Sequence, residues 1–376
     1  MMCTRSINDP VHGRICLPEI SMKIINLAVF RRLQKIKWLG NAYRVFPTAL
    51  HTVFDHSIGS AYIARQMINK IRGANPSLGL TDEDCLVVEI SSLVRNVGKG
   101  CFNELFEKIS QKCGREEFSY EEQSTEYFLT DIISNIKGDL EKLGIDVDRF
   151  EKTVCSLIKG KSSEKCRQYM ASIVNGPIDA DIFDRVARDL LFCGFGIEFD
   201  VRFMIDCVSV KISEDGGNYL TFSSEGGQYY AMAFTRAYNN LGVNVYNNVY
   251  IKVYDAMVLR VFELAAESKM SPSLVVLDHS AFIDGLLDSH QIISRDDISE
   301  LYSRIENCLT WTLLCKCTTK IAIKYPTIGN AHMVYYKNGE FEHVCYLFCE
   351  QSVKSDNLIA ELKKFLSMRG VVGTVE

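Results

Sequence analysis

Apolar residues recur at helical spacing through most of the first two-thirds of this chain. The pattern is clearest in three stretches, LPEISMKIINLAVFRRLQKIKWLG, HSIGSAYIARQMINKIRG and TDEDCLVVEISSLVRNVG. The first two end in a glycine, Gly40 and Gly73, which is a common helix stop signal. The third opens with Thr81 and Asp84 at the spacing of a capping box. Because residues three and four apart share one face of a helix, the sequence predicts a mainly α-helical core.

The second part of the chain has a different texture. From about residue 208, short alternating runs broken by paired glycines predict a small hairpin insertion near 208–230. Further on, Asn338-Gly339 between two alternating runs is typical of a two-residue type I′ hairpin. A helix is also predicted in SRDDISELYSRIENCL. We therefore expect a mainly α (α+β) fold, with a helical core at residues 1–265 and a smaller α/β lobe at residues 266–376.

Composition narrows the classes of function. A net charge of −5 argues against a protein that coats nucleic acid, and the basic run RRLQKIK is interpreted as a solvated helix face and not as a phosphate-binding patch. No run of about 18 uncharged apolar residues occurs, so no membrane span is expected. The opening MMCTRSINDP has no apolar stretch of the kind found in a secretory signal. We expect a protein of the cytoplasm or nucleus.

The chain contains 14 cysteines, which we interpret as reduced thiols and not as a disulfide framework. They are scattered through the apolar patterns of a large chain, whereas disulfide scaffolds are short. The tightest group comprises Cys315, Cys317, Cys345 and Cys349, whose spacing differs from that of zinc sites. Since Cys345 and Cys349 would share one face of a strand, buried packing is favoured over a zinc site.

The segment ISSLVRNVGKGC carries two polar residues at the end of an apolar helix face. That face is formed by Leu86, Val87, Ile90, Leu93, Val94 and Val97. Arg95 and Asn96 therefore lie at the C-terminal end of the predicted helix, before a turn bracketed by glycines. The preceding segment TALHTVFDHSIG, with His51 and His56, looks like half of a metal site. The residues alone leave open whether Arg95-Asn96 is an ordinary helix end, a working site or a site that has lost its metal.

Five stretches of the chain carry a family resemblance when they are taken together: INDPVHGRICLP, FRRLQKIKWLGNAYRVFPTALHTVFDHSIGSAYIA, ISSLVRNVGKGCFNELF, IVNGPIDADIFDRVARD and YDAMVLRVFELA. They resemble the HD-domain deoxynucleotide triphosphohydrolases, and in particular the vertebrate members that carry a sterile-alpha-motif domain ahead of the HD domain. The likeness extends into the tail and is loose near residues 107–170 and 310–345. It implies an HD-domain helical core with a small β-containing C-terminal lobe, and assembly into dimers or tetramers.

In that family a histidine, an adjacent His-Asp pair and a later aspartate hold a metal that activates water or polarises the phosphate. The resemblance assigns the first ligand to His56 and the last to Asp181, and it places Arg95 and Asn96 at the His-Asp pair. Arginine stays protonated and has no lone pair to offer, while a neutral amide is a weak ligand. The resemblance therefore implies a degenerate site with no intact catalytic residues, in which His56 and Asp181 are remnants of the metal ligands.

Other positions of the family site are altered as well. The neighbouring acid–base histidines correspond to Lys99, Glu104 and Tyr120. Three further residues that contact substrate in the family are replaced here by Val53, Ile182 and Arg185. Three positions match and are candidates for nucleotide binding, namely Asp189, Arg236 and Tyr246.

The guanine-reading activator site of the family is also changed. Its aspartate, glutamine and arginine correspond to Asn26, Arg31 and Gln34. An amide with one acceptor oxygen cannot copy an aspartate that grips a guanine edge through two acceptors. Arg5 keeps a basic residue at the position of a nucleotide-contacting lysine, and it is a further candidate for nucleotide binding. The resemblance therefore does not extend to activation by GTP.

Two functional hypotheses follow. The favoured one is a catalytically inactive dNTPase-like HD pseudoenzyme without a metal cofactor, which acts by binding or regulation on a nucleotide, an active homologue or another protein, with nucleic acid left open. In it, the Arg95 guanidinium takes the place of the metal and pairs with Asp181. The alternative is a remodelled metal-dependent (deoxy)nucleotide phosphohydrolase or nuclease, in which His51, His56, Glu104 and Asp181 would hold Mg, Mn or Fe.

Overall fold

The computed structural model describes residues 5–112, 115, 117–162, 167–196, 199–212, 217–222, 227–267, 312–319, 331–338 and 342–349. These residues form a mainly α-helical protein with small antiparallel sheets, so the predicted fold class is confirmed. The chain divides into two compact units, residues 1–245 with 272–284 and residues 246–271 with 285–376. Within the described ranges, no helix is long and apolar enough to cross a membrane.

The first unit opens with a two-stranded hairpin, formed by β1 (Arg5–Asp9) and β2 (Gly13–Leu17) in antiparallel pairing. β2 buries Ile15 and Leu17, whereas β1 is mostly exposed or half-buried. Gly13, the first residue of β2, has a φ of 71°, a conformation that glycine adopts without strain. The hairpin is therefore anchored to the helical body through β2 and through its turn.

The first predicted helix, over residues 17–40, is not continuous. It is divided into α1 (Glu19–Ile25), α2 (Ala28–Arg31) and a 3₁₀ turn (Arg32–Lys35). The backbone becomes extended at Leu27, and the 3₁₀ turn brings Arg32 to the backbone carbonyls of Val97 and Lys99. The prediction of one helix is therefore wrong, because the spacing of apolar residues does not register the extended backbone at Leu27.

The centre of the first unit is a pair of helices, α3 (Val53–Ala74) and α4 (Asp82–Val94), and both are confirmed where they are predicted. Each begins with a capping box, formed by Thr52 and Asp55 in α3 and by Thr81 and Asp84 in α4. A capping box satisfies two unpaired backbone amides, and so it fixes where a helix starts. Arg95 is the C-cap of α4, so the Arg95-Asn96 pair lies at the helix end, as predicted.

The remaining helices of the first unit are α5 (Leu105–Lys112), α6 (Tyr120–Tyr127), α7 (Ile133–Lys142), α8 (Val147–Ile158), α9 (Gln168–Asn175), α10 (Ala180–Phe192), α11 (Val201–Asp206) and α12 (Gly227–Leu241). Two π-helical turns, Phe128–Ile132 and Gly242–Tyr246, follow α6 and α12. α10 packs against α3, while α8 and α9 pack against α4. The core therefore lies between α3, α4 and α10, each of which buries apolar residues along much of its length.

Two strands lie in the segment where the sequence predicts a hairpin. β3 (Val208–Ile212) and β4 (Asn218–Phe222) pair antiparallel, with Val208 opposite Phe222. The predicted segment extends to residue 230, but α12 already begins at Gly227. The strand region is shorter than expected because the residues after the second glycine pair continue into a helix that buries Phe234, Ala237 and Leu241.

The second unit contains α13 (Val249–Glu267) and three strands, β5 (Thr312–Thr319), β6 (Ala331–Asn338) and β7 (Glu342–Cys349). β7 lies between β5 and β6, and both pairings are antiparallel. The register pairs Lys337 with His343, whereas a two-residue loop at Asn338-Gly339 would pair Lys337 with Glu340. The predicted two-residue type I′ loop is therefore wrong, although the strands that flank it do pair.

The predicted domain bounds of 1–265 and 266–376 stay a prediction. α13 belongs to the second unit, whereas the predicted boundary at residue 265 places most of that helix in the first domain. The helix predicted in SRDDISELYSRIENCL lies outside the described residues. The backbone register places Cys317 opposite Cys345, but the side chains of these cysteines also lie outside the described part, so packing and zinc binding both stay predictions there.

Candidate functional site

His56 lies at the centre of a buried cluster of ion pairs. It belongs to the first turn of α3, whose start is fixed by the capping box. Its Nε2 atom lies 2.8 Å from Oδ1 of Asp181, and its Nδ1 atom lies 2.8 Å from Oδ2 of Asp184. Both carboxylates are on α10, which packs against α3. The imidazole is fully buried and stacks on Trp38 with the ring centroids 3.7 Å apart. The structure thus brings together the two predicted remnant positions, His56 and Asp181.

The contacts within the cluster favour the charged forms of its three central groups, His56, Asp181 and Asp184. Burial alone would lower the pKa of His56, but the carboxylates of Asp181 and Asp184 raise that pKa above the usual value. Burial alone would raise the pKa of Asp181, but the positive charges of His56 and Arg95 hold it well below its usual range. The pKa of Asp184 is likewise held low against burial, by Arg188 and by hydrogen bonds from two histidines. The two carboxylates therefore favour the protonated form of His56.

Arg95 and Asn96 reach this cluster from the end of α4. The Asn96 amide donates to Oδ1 of Asp181 over 2.8 Å. The Arg95 guanidinium donates to Oδ2 of Asp179 over 2.8 Å, while Oδ1 of Asp181 lies 3.8 Å from the same Nη1 atom. The expected pairing of Arg95 with Asp181 is therefore present only as the longer contact. The hydrogen-bonded partner is Asp179, the N-cap residue of α10.

Arg95 also ties α4 to the end of α9. Its guanidinium donates to the carbonyl of Val174 and to Oδ1 of Asn175, both over 2.9 Å. Burial alone would lower the pKa of Arg95, but the charges of Asp181 and Asp179 raise it. Burial raises the pKa of Asp179 to about 6, with Arg95 opposing and Asp181 reinforcing the rise. One guanidinium thus joins α4, α9 and α10 by direct hydrogen bonds.

Lys99 and Tyr120, two of the altered acid–base positions, lie beside each other and near Trp38. The Lys99 ammonium lies 4.3 Å from the ring centroid of Tyr120 and 5.1 Å from that of Trp38, as in cation–π pairs. Burial lowers the pKa of Lys99 and raises that of Tyr120. Glu104, the third altered position, is exposed at the surface. Lys99, Tyr120 and Trp38 thus form an aromatic and cationic surface next to His56, and none of them is a proton-transfer histidine.

A strained turn follows Lys99. Phe102 and Asn103 have φ values of 61° and 51°, which non-glycine residues seldom adopt. The Asn103 amide donates to the backbone carbonyl of Trp38, and the Phe102 carbonyl lies against Gly40, where a Cβ would be 3.0 Å from that oxygen. The turn is therefore held in place by the segment that also carries Trp38.

The residues at this site do not fit a divalent metal ion. A metal needs an imidazole nitrogen with a free lone pair, but both nitrogens of His56 lie 2.8 Å from carboxylate oxygens. Asn96 presents its amide N–H to Asp181, and Arg95 has no lone pair to offer. Across the described residues, no group of three or more His, Cys, Asp or Glu side chains is arranged to hold a metal.

The other proposed ligands of a remodelled site have different surroundings. His51 is buried, and its Nε2 atom lies 2.8 Å from Oδ1 of Asp189. Asp189, which matches a substrate-side position of the family, is therefore engaged within the first unit. Glu104 is exposed at the surface. His51 pairs with Asp189, while His56 pairs with Asp181, so the four proposed ligands do not form one group.

The remaining predicted residues have the following positions. Val53 is the buried first residue of α3, and Ile182 and Arg185 are half-buried on α10. Arg236 is exposed on α12, and Tyr246 is half-buried and belongs to the second unit. The positions of the altered activator site, Arg5, Asn26, Arg31 and Gln34, are all exposed. Their proposed parts in nucleotide binding stay predictions.

Several residues of the cluster were not predicted from the sequence as parts of the site. They are Asp9, His12, Asp179, Asp184 and Arg188. Asp184 and Arg188 are four residues apart on α10, a spacing that favours an ion pair on one helix face. The segment DIFDRVARD shows this spacing, so the ion pair could have been predicted. The signal for Asp9 and His12 was weaker, since their partners on α10 are more than 170 residues away in the chain.

No protein-family model matches the chain. The deoxynucleoside triphosphate triphosphohydrolase SAMHD1 of Gallus gallus is 32% identical over 249 residues, which is 61% of this chain and 40% of the relative. The protein of the same name from Homo sapiens is 30% identical over 249 residues, with the same shares. The SAMHD1 homolog of Dictyostelium discoideum is 33% identical over 197 residues, 51% of this chain and 37% of the relative.

The chain spans about two fifths of the length of these curated relatives. The match covers about three fifths of the chain itself, at about 30% identity. Over that part of its length, the chain is similar to proteins named deoxynucleoside triphosphate triphosphohydrolases, which belong to the HD-domain family that its sequence resembles.

Proposed function

We propose that this chain is a dNTPase-like HD pseudoenzyme, which no longer hydrolyses nucleotides by metal-assisted chemistry and acts by binding. The observation that carries the proposal is the double hydrogen bonding of His56. Each ring nitrogen is 2.8 Å from a carboxylate oxygen, so the imidazole is a cation that neutralises carboxylates and not a metal ligand. Metal-assisted hydrolysis needs a bound ion to activate water or polarise the phosphate, and this arrangement leaves no ligand set for one.

The substitutions at the His-Asp pair support the same proposal. Asn96 donates to Asp181 and Arg95 donates to Asp179, so each new side chain supplies a donor where the family supplies a metal ligand. His56 and Arg95 together provide two positive charges, the same charge that a divalent ion would bring. The negative charges of α10 are thereby balanced without a metal, while the chemistry of the ion is lost.

The binding partners and the setting belong to the same proposal. The relatives named as dNTP triphosphohydrolases favour a nucleotide ligand, and the resemblance favours a homodimer or tetramer, or association with an active homologue or another protein. Cys85 and Cys193 are buried thiols, and burial raises the pKa of Cys193 to about 12. Scattered cysteines in a large chain favour a reducing compartment such as the cytoplasm or nucleus.

The alternative, a remodelled phosphohydrolase or nuclease, is less well supported. It requires His51, His56, Glu104 and Asp181 to share an ion. His51 is instead paired with Asp189, and Glu104 is exposed at the surface. No observation in the described residues draws these four side chains to one point.

The experiment that tests the proposal is triphosphate release from each of the four deoxynucleotides and from GTP, with magnesium, manganese, iron or no added metal. The Asp181→Ala variant is the matched control, since it removes the remnant carboxylate. We expect no release above the level of the variant under any condition. Metal-dependent release that the variant abolishes would contradict the proposal and would favour the remodelled enzyme.

A further inference from the structure

The indole of Trp38 lies directly on the imidazole of His56. The two ring centroids are 3.7 Å apart and the ring planes are inclined by 29°, so the rings are stacked. The nitrogens at the edge of the imidazole each lie 2.8 Å from a carboxylate oxygen, of Asp181 and of Asp184. His56 is fully buried and Trp38 is 4% exposed. A ligand that stacks on this face of His56 therefore has to displace the indole first.

The neighbouring basic side chains stabilise the indole in this place. The Lys99 ammonium lies 5.1 Å from the centroid of the Trp38 ring, and it is itself buried. A cation is attracted to the face of an aromatic ring, and the attraction grows when the cation is removed from water. The same attraction strengthens the stack on His56 when the imidazole is protonated. The indole thus lies between two basic side chains, and its removal would cost both contacts.

The backbone on both sides of the indole is fixed. The Trp38 amide donates to the carbonyl of His51 over 2.9 Å, and the Trp38 carbonyl accepts from the side-chain amide of Asn103. Two residues earlier, the carbonyl of Ile36 accepts from the amide of Val53 over 2.8 Å. These hydrogen bonds tie the segment to the start of α3 and to the strained turn that contains Asn103. The indole can therefore leave only by rotation of its own side chain against packed neighbours.

We propose that Trp38 is a plug, which closes the site around His56 to flat aromatic ligands, including the base of a purine nucleotide. Indole and purine share the same framework of fused five- and six-membered rings, so the side chain takes the room that a purine stacked on His56 would need. A ligand can enter only in the fraction of molecules whose indole has moved away, and its apparent affinity falls by that fraction. This closure rests on the proposed function, in which the chain acts by binding, and it excludes the face of His56 from that binding.

Removal of the plug and its replacement by free indole test the closure. The Trp38→Gly variant leaves an indole-shaped cavity beside His56, and buried cavities of this kind bind small aromatic molecules. We expect millimolar indole to raise the Tm of this variant by about 2 °C or more, and to leave the Tm of the unaltered protein unchanged. Trp38→Phe is the matched control, because it keeps a ring over His56 and should not respond. No response of Trp38→Gly, or an equal response of the unaltered protein, would overturn the proposal.

Fluorine NMR of protein that contains fluorotryptophan provides a second test, which does not require the glycine variant to fold. The chain has two tryptophans, Trp38 and Trp311, and the signal that is absent from Trp38→Phe belongs to Trp38. We expect this signal to keep its position when dATP or dGTP is added without metal. A shift of the Trp38 signal with either nucleotide would mean that the ligand reaches the face of His56, and the plug would be wrong. Because this measurement involves no hydrolysis, that result would leave the proposed loss of catalysis standing.

Discussion

The Arg95 guanidinium donates a 2.8 Å hydrogen bond to Asp179, the residue that caps α10 two positions before Asp181. The same nitrogen lies 3.8 Å from Asp181, so one cation serves two neighbouring carboxylates. His56 lies on the other side of Asp181, and the carboxylates of Asp181 and Asp184 raise its pKa against the effect of burial, which favours the positively charged form. The start of α10 is therefore held by two internal cations, from the end of α4 and from the first turn of α3.

The Arg95→Ala variant tests this arrangement through stability. Removal of the guanidinium leaves Asp179 buried without its ionic partner, and it also removes two hydrogen bonds to the end of α9. Breaking a buried ion pair by loss of one partner costs about 3–5 kcal/mol, and we expect the free energy of unfolding to fall by about that amount. Chemical denaturation measures this change. The matched control is Arg72→Ala, whose ion pair with Asp82 is largely exposed and should contribute no more than about 1 kcal/mol. Equal losses in the two variants would contradict the account.

The charge on His56 predicts how stability depends on pH. The pKa of His56 is raised above 6.5 in the folded protein, against the effect of burial, by Asp181 and Asp184. A raised pKa contributes stability that is fully present below the unfolded value of 6.5 and is lost as the pH rises through the folded value. The free energy of unfolding should therefore fall as the pH is raised above about 6.5. The lowered pKa values of Asp181 and Asp184 act at the acid end, where stability is lost as the pH falls through them.

Urea unfolding at a series of pH values measures this dependence. The His56→Asn variant should show a flatter profile above about pH 6.5, because asparagine does not titrate. Comparison with the variant separates the contribution of His56 from that of other groups, such as Lys99, whose pKa is lowered by burial. Identical slopes in the two proteins would show that His56 is neutral in the folded state.

Replacing either of two glycines in α3 by alanine should have opposite effects on the stability of the protein. Gly59→Ala places a methyl group against the Asp184 and Arg188 side chains, and overpacking of this kind costs about 1–3 kcal/mol. Gly73→Ala, near the end of the same helix, meets open space and should be neutral or stabilising by up to about 1 kcal/mol. Thermal unfolding of both variants gives the comparison. A tolerated Gly59→Ala would mean that Asp184 and Arg188 do not lie against the backbone of α3.

The parts of the structure that follow local rules could be predicted from sequence. The Thr81–Asp84 capping box marks the start of α4, and the apolar face places Arg95 and Asn96 at its end. Thr52 and Asp55 have the same spacing, and they form the equivalent capping box at the start of α3, before His56. These features depend on residues three or four positions apart, a range over which spacing determines contact.

The partners in the buried ion pairs could not be predicted from the spacing of residues in the sequence. Asp179 and Asp181 both lie at the start of α10, and spacing alone cannot decide which carboxylate Arg95 reaches. The contact of His12 with Asp184 joins positions 172 residues apart, which no local pattern reports. The break in the first predicted helix lies at Leu27, where the backbone is extended, and the spacing of the apolar residues does not reveal it. Contacts between residues far apart in the chain therefore escaped the local rules.

Titration of the protein with Mn²⁺ by calorimetry tests the central claim most directly, because it reports metal binding without any assumption about substrate. The account predicts no binding tighter than about 1 mM in the unaltered protein. It predicts that Arg95→His with Asn96→Asp, which restores the His-Asp pair beside His56 and Asp181, gains one Mn²⁺ site, while Asp181→Ala in that background loses it. One equivalent of Mn²⁺ bound to the unaltered protein and lost in Asp181→Ala would contradict the claim that internal cations have replaced the metal.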